Sequence, residues 1–208
     1  MGQFNPFVCP LPAALTTPPD TTCPVRFDQI IGVALHRIAG GKAFSASTIL
    51  ASATWTPLLA ATDNTKVVLT PAFSGFTLPT SEVTIEGEND NSTIGGLGIV
   101  EGGNVVRPTG MFRNKSAVAM KAIRSYTTES ANSSAPRIEA YFINRFGQII
   151  ANSDGSGIPV TNITVSDVSS EGLKKDNMNT FGLSLPYGWS DDVAMFTPSF
   201  DILALQPK

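Results

Sequence analysis

The residues that could carry out chemistry are few and stand apart in this chain. His36 is the single histidine, at the polar end of an otherwise apolar segment. A Ser-His-Asp or Cys-His enzyme would have to use it, yet the neighbouring sequence contains no nucleophile motif of the type G-x-S-x-G. We therefore expect His36 to be a surface or interface histidine and not a catalytic base.

Two segments are superficially similar to ligand-binding loops but lack the positions that such loops require. In GGLGIVEGG, the third glycine of a dinucleotide-binding fingerprint that starts at Gly96 and Gly98 falls on Glu101. In EGENDNST, the final Glu of a calcium loop counted from Glu88 falls on Ile99. We expect no cofactor and no metal site here.

Paired carboxylates leave one enzymatic alternative open. Asp191 with Asp192, or Glu86 with Glu88, would suit a β-sandwich hydrolase that cleaves polysaccharide if the distance between the two carboxylates fits that reaction. Such pairs are common in acidic proteins, so this alternative is weaker than a non-enzymatic role.

Composition favours a turn-rich β protein. The 208 residues include 18 Gly and 15 Pro, and only 15% are charged while 42% are hydrophobic. The net charge of -3 argues against a protein that grips nucleic acid, although DNA could still pass a neutral or acidic wall. Apolar runs are too short to span a bilayer and the start lacks the pattern of an export signal, so we expect neither.

Residues 1–24 form a proline-rich N-terminal arm by composition. They hold six of the fifteen prolines, each of which removes a backbone donor. They also hold Cys9 and Cys23, which are too few for a disulfide framework or a four-ligand zinc site; whether they form one bridge stays open. The arm is either a solvated terminus or a segment that lies on a neighbouring subunit. Its apolar side chains favour the second interpretation: Phe4, Phe7, Val8, Leu11 and Leu15.

Residues 25–208 are predicted to form a single β-sandwich domain with one helix at about 115–126. Alternating apolar segments bounded by Gly, Pro, Asn or Asp predict eight or nine short strands, typical of an antiparallel sandwich or barrel. The segment RIEAYFINRFGQIIA is typical of a hairpin. The predicted strands are 25–37, 66–70, 81–87, 103–112, 137–144, 148–152, 159–166, 181–185 and 193–205, with short helical pieces in the Ala-rich 44–62 that break at Thr56-Pro57.

Charge is separated by segment. Residues 82–101 contain only acidic charges, whereas 107–145 are mainly basic. In a monomer this could be an accident of composition, but between copies a basic patch can meet an acidic loop. The acidic positions of the loop are Glu82, Glu86, Glu88 and Asp90, and the basic interface candidates are Arg107, Arg113, Arg137 and Arg145.

Four segments together resemble the tail tube (major tail) proteins of long-tailed bacteriophages: KVVLTPAFSGFTLPTSEVTIEGENDNST, MFRNKSAVAMKAI, RIEAYFINRFGQIIA and FGLSLPYGWSDDVAMFTPSFDILAL. The order of strands, one amphipathic helix, a hairpin and closing strands is also similar. This resemblance implies a β-sandwich with a flanking helix, six copies in a ring whose inner strands join into a barrel, and rings stacked into a tube for DNA ejection.

The resemblance also implies roles and partners. The acidic loop would face the lumen or the next ring, and phage DNA would pass without specific binding. Partners would be copies of this chain and other tail proteins such as a tape-measure protein, in a virion tail assembled in the host cytoplasm, with no membrane. Contacts between rings would come from the arm and from the C-terminal residues Phe200, Ile202 and Leu203.

The main alternative is another virion structural protein: a head decoration, tail terminator or adsorption protein. Two-sided apolar strands such as Tyr141-Phe142-Ile143 need burial on both faces of a sheet or at an interface between subunits, which the tail tube arrangement would provide.

Overall fold

The computed structural model describes residues 27, 29–87, 98–131, 135–170, 172 and 176–207. The predicted arm, including both cysteines, and the positions Glu88 and Asp90 lie outside the described residues. The strands are β1 (Ile30–Arg37), β2 (Val67–Leu69), β3 (Gly75–Thr77), β4 (Val83–Glu86), β5 (Ile99–Gly103), β6 (Thr109–Arg113), β7 (Ile138–Asn144), β8 (Ile149–Asn152), β9 (Ile158–Val165), β10 (Met178–Ser184) and β11 (Val193–Phe196), and the helices are α1 (Ser52–Ala60) and α2 (Ala117–Ser130).

Nine of these strands form an antiparallel sandwich of two sheets, and the other two form a separate hairpin. The first sheet has the order β2-β1-β7-β8-β11, and the second has the order β9-β10-β6-β3. Strand β9 belongs to both sheets, because Ile158–Val160 pair with β7 whereas Thr161, Thr164 and Val165 pair with β10. The mainly-β fold with a flanking helix that the sequence predicts is confirmed.

Aromatic side chains fill the space between the two sheets. Phe112 of β6 stacks on Phe73 with ring centres 4.9 Å apart, and it meets Phe181 of β10 edge-on at 5.8 Å. Phe112 and Phe181 are fully buried. The alternation of β6, in which only Gly110 and Phe112 are buried, is the period of two that the sequence shows.

Helix α2 closes one side of this core. Ser116 caps its start, since the hydroxyl accepts a hydrogen bond from the Ala119 N–H at 3.2 Å. Met120 and Ile123 are buried against the core. The helix runs one turn beyond the predicted end, to Ser130. In the described part of the chain, neither helix is both long and apolar enough to cross a bilayer.

The second face of the first sheet is covered by the Ala-rich insert. Phe44 stacks on Trp55 of α1 at 4.3 Å between ring centres, and both pack on Tyr141 of β7. The indole N–H of Trp55 donates to the carbonyl of Ile49 at 2.9 Å. Every residue of β7 is therefore buried by its own chain. Of the two explanations for its apolar sequence, burial on both faces is the one the structure shows.

Several predicted boundaries are wrong. Helix α1 continues through Pro57 instead of breaking there, and the hydroxyl of Thr56 donates to the Ser52 carbonyl in the same turn at 3.0 Å. The predicted strand 103–112 is two strands that belong to different sheets. The predicted strand 193–205 stops at Phe196, shortly before Pro198, which cannot donate to a ladder.

A tight turn between β8 and β9 is held by an acidic side chain. Asp154 accepts hydrogen bonds from the Lys42 ammonium at 2.7 Å and from the Ser156 hydroxyl and N–H at 2.6 and 2.8 Å. These bonds, Lys42 first, lower the pKa of Asp154 to about 2. The charged form of this carboxylate therefore favours the folded state.

Candidate assembly surface

The hairpin of β4 and β5 stands outside both sheets. Val83–Glu86 pair with Ile99–Gly103 in antiparallel register, and among the described residues these two strands form a sheet of their own. The alternation of Val83, Thr84, Ile85 and Glu86 explains the strand, since it places apolar and polar side chains on opposite faces. All four residues of β4 are exposed.

One face of this hairpin is apolar and open to solvent. Ile85 lies opposite Val100, and Val83 lies opposite Gly103, so these positions share a face. The exposed fractions are 41% for Val83, 48% for Ile85 and 64% for Val100. The ring of Tyr187 occupies the space where a Cβ of Gly103 would stand, and it extends the same face. We call Val83, Ile85, Val100 and Tyr187 the hairpin face.

The hairpin also carries negative charge. Glu86 lies opposite Ile99 and is exposed on the other face of β4, and Glu82 is exposed just before the strand. Neither carboxylate forms an ion pair with another described residue. Two of the four predicted acidic positions thus lie on the apolar hairpin, and the other two are outside the described residues. The sequence prediction emphasised these acids and missed the apolar face, although the alternation in SEVTIEG signals it.

The edges of the two sheets differ in how they are covered. Strand β9 is covered by α2. The hydroxyl of Ser130 in that helix accepts a hydrogen bond from the Ile163 N–H of β9 at 2.9 Å. Strands β2 and β11 end the first sheet and β3 ends the second among the described strands, and Met195 of β11 is 38% exposed. Edges of this kind could pair with another chain.

A groove lies between β2 and α2. Its volume is about 430 Å³, and Val68, Leu69 and Pro71 form one wall while Ala119 and Ile123 of α2 form the other. Lys115 lies at the start of the helix beside the same groove. The lining is mixed, because Asn114 and Ser116 contribute polar side chains beside the apolar walls.

The basic candidates have different environments. Arg113 pairs with Asp176 at 3.2 Å between Nε and Oδ2, and Arg145 donates to the Gln29 side chain at 3.1 Å. Arg107 and Arg137 are exposed and make no ion pair within the described part of the chain. The structure does not gather the four into one patch through any contact that it shows.

The C-terminal candidates pack against their own subunit to different degrees, and a contact of Phe200 or Leu203 with another ring stays a prediction. Ile202 is fully buried, in the cluster formed by the insert and β7. Phe200 and Leu203 pack against the same cluster, and the ring centre of Phe200 lies 6.4 Å from that of Trp55. The sequence alone does not indicate this packing, because the insert that these residues contact is far away along the chain.

The expectation of an exposed His36 is also wrong. His36 is 2% exposed, and its Nδ1 lies 3.0 Å from Oε1 of Glu139 on the neighbouring strand. The hydroxyl of Tyr141 donates to the same oxygen at 2.7 Å. Burial and the adjacent Glu139 carboxylate raise the pKa of Tyr141. His36 therefore contributes to a buried hydrogen-bonded cluster beside the first sheet.

The carboxylates considered for hydrolysis lie on the surface. Asp191 and Asp192 are exposed on the turn before β11, and Asp192 accepts a hydrogen bond from the Ser153 hydroxyl at 2.6 Å. Glu86 is exposed on the hairpin, and its suggested partner Glu88 is outside the described residues.

The fold defines the chain as a mainly-β sandwich with a flanking helix and a projecting hairpin. No family model matches the chain, and no curated protein matches its sequence. Among solved structures it is similar to a chain described as "Virion of native gene transfer agent (GTA) particle", with 14% identity and a TM-score of 0.35. The match covers 63% of this chain and 88% of that one. At this TM-score the similarity supports no conclusion about function.

Proposed function

We propose that this protein is a structural, non-enzymatic subunit of a bacteriophage virion that assembles from identical copies. The observation that carries the proposal is the hairpin face, whose apolar side chains lie outside both cores of the subunit. Contiguous exposed apolar side chains of this kind mark surfaces that contact another protein. In an assembly of identical subunits, the partner of this surface is a second copy of the chain.

The specific assembly that we propose is the tail tube. Support comes from the resemblance of the sequence to tail tube proteins together with the sandwich, the flanking helix and the sheet edges of β3 and β11, where no further described strand pairs. Pairing between such edges closes a ring, and contacts of the hairpin connect one ring to the next. In this proposal the net charge of -3 lets phage DNA pass without binding.

The proposal is tested on the purified full-length chain by sedimentation velocity and negative-stain microscopy over increasing concentration. A tail tube subunit gives rings or striated cylinders. A head decoration, tail terminator or adsorption protein stays monomeric or forms a small closed oligomer, and this result would reject the tube. A chain that stays monomeric at every concentration would also contradict assembly through the hairpin face.

A further inference from the structure

We propose that the turn between β7 and β8 of one copy docks on the side of the hairpin that carries Glu86 in a neighbouring copy, with Phe146 against Ile99 and Arg145 beside Glu86. This inference rests on the proposed self-assembly and names two surfaces through which the copies contact each other. We call Arg145 and Phe146 the turn pair, and Glu86 and Ile99 the hairpin pair. A copy that docks its turn pair on one neighbour can receive another copy on its hairpin pair, so the contact extends into a ring or a filament.

The turn pair is an exposed aromatic ring with an arginine stacked on it. Phe146 is 62% exposed, and the guanidinium of Arg145 lies 4.6 Å from the centre of its ring. The side-chain oxygen of Asn144 accepts hydrogen bonds from the N–H groups of Phe146 and Gln148 at 2.9 and 3.0 Å, which fixes the backbone of the turn. Arginine and aromatic side chains often contribute most to a protein contact, and a turn that is already ordered loses little entropy on binding.

The hairpin pair places an acid and an aliphatic side chain next to each other. Glu86 and Ile99 are directly opposite in the register of β4 and β5, so their side chains are neighbours on one face. Ile99 is 59% exposed, and Glu86 is exposed as well. Because Glu86 follows Ile85 in an alternating strand, this face is the reverse of the hairpin face. It therefore stays available when the hairpin face is covered.

The two pairs carry opposite charges that the described part of the subunit does not compensate by ion pairs. Arg145 donates a hydrogen bond to the neutral side chain of Gln29 at 3.1 Å, and neither it nor Glu86 forms an ion pair with a described residue. In the contact, the guanidinium and the carboxylate compensate each other, and burial of Phe146 against Ile99 removes apolar area from water. Adjacent charged and apolar groups on both surfaces set the register of the contact.

Charge reversal tests the pairing of Arg145 with Glu86. Arg145→Glu and Glu86→Lys each place like charges together, and each should raise the critical concentration of assembly by roughly tenfold. The double variant restores opposite charges and should assemble within about threefold of the wild type. Lys121→Glu is the control for the change of charge. Lys121 is exposed on α2 outside both pairs, so this variant should assemble like the wild type.

Photo-cross-linking tests the geometry independently. The photoreactive analogue p-benzoylphenylalanine replaces Phe146 and keeps an aromatic ring in the turn, and the assembled protein is irradiated and digested. The cross-link should join position 146 of one copy to β4 or β5 of another. Mass spectrometry of mixed isotope-labelled and unlabelled copies distinguishes such links from links within one chain. The same analogue at the exposed Val168 is the control and should give no link to the hairpin.

The outcomes separate this inference from the proposed function. The inference is wrong, and the proposed function stands, if the wild type assembles but the single charge variants assemble equally well. The same holds if the double variant is as impaired as the single variants, or if the cross-link from position 146 joins a surface other than β4 and β5. If the wild type itself does not assemble, the proposed function is wrong and the inference falls with it.

Discussion

Replacing the exposed aliphatic residues of the hairpin by serine should weaken assembly and leave the stability of the folded subunit nearly unchanged. Ile85 and Val100 are 48% and 64% exposed in the subunit, so about half of each side chain remains to be buried by a contact. Complete burial of such a side chain contributes about 1.5–3 kcal/mol, and each residue therefore contributes roughly 1–1.5 kcal/mol to the contact. The double variant Ile85→Ser and Val100→Ser should lose roughly 2–3 kcal/mol of contact free energy per subunit.

This loss has a measurable consequence. At about 1.4 kcal/mol per factor of ten, the critical concentration of assembly rises roughly 30- to 140-fold. The free energy of unfolding of the isolated subunit should change by less than about 0.5 kcal/mol for each substitution, because both sites are on the surface. Sedimentation, which separates assembled from free protein, measures the critical concentration. Urea titration measures the free energy of unfolding of the subunit.

A matched control distinguishes the hairpin from exposed apolar surface in general. Val168 is 59% exposed and lies outside the hairpin, after β9. Val168→Ser should leave the critical concentration unchanged. If the hairpin variant and the control shift it equally, or if the hairpin variant assembles like the wild type, the hairpin face is not the contact and the argument from exposed apolar area is refuted.

Three further substitutions test the fold. Ser130→Ala leaves the buried Ile163 N–H without its acceptor and should lower the free energy of unfolding by about 1–3 kcal/mol in urea titrations, whereas an unchanged midpoint would show that water replaces the hydroxyl. Tyr141→Phe removes one of the hydrogen bonds to the buried Glu139 carboxylate and should cost about 1.5–3 kcal/mol by the same measurement; a cost near zero would mean that the bond contributes nothing net. The lowered pKa of Asp154, about 2 against an ordinary 3.8, stabilises the fold above pH 4, and this contribution is lost as the pH falls toward 2. Asp154→Asn should therefore flatten the decrease in stability over that window, and an unaltered pH profile would contradict the assignment.

Features specified by neighbouring residues could be predicted from the sequence. The turn between β7 and β8 is one example: Asn144 accepts hydrogen bonds from the Phe146 and Gln148 N–H groups, and Gly147 adopts a φ of +75°. The start of α2 is another, because the capping Ser116 directly precedes the helical segment. Local spacing carries enough information in both cases.

Features that depend on distant partners could not be predicted. The burial of His36 follows from Glu139, which is 103 residues away in sequence. Likewise, the role of the insert as a cover for β7 requires knowing which strand lies beneath Phe44 and Trp55. In the candidate site, the acidic residues were predicted from composition, but the exposure of Ile85 depends on the hairpin standing apart from the sandwich.

Strand β9 links the two sheets by giving its first residues to one and its last residues to the other. Because the backbone of one strand is hydrogen-bonded into both sheets, one sheet cannot unfold without breaking bonds of the other. The subunit should therefore unfold as one cooperative unit. A force applied to one sheet would then be transmitted through β9 to the other sheet, so the whole domain would resist it.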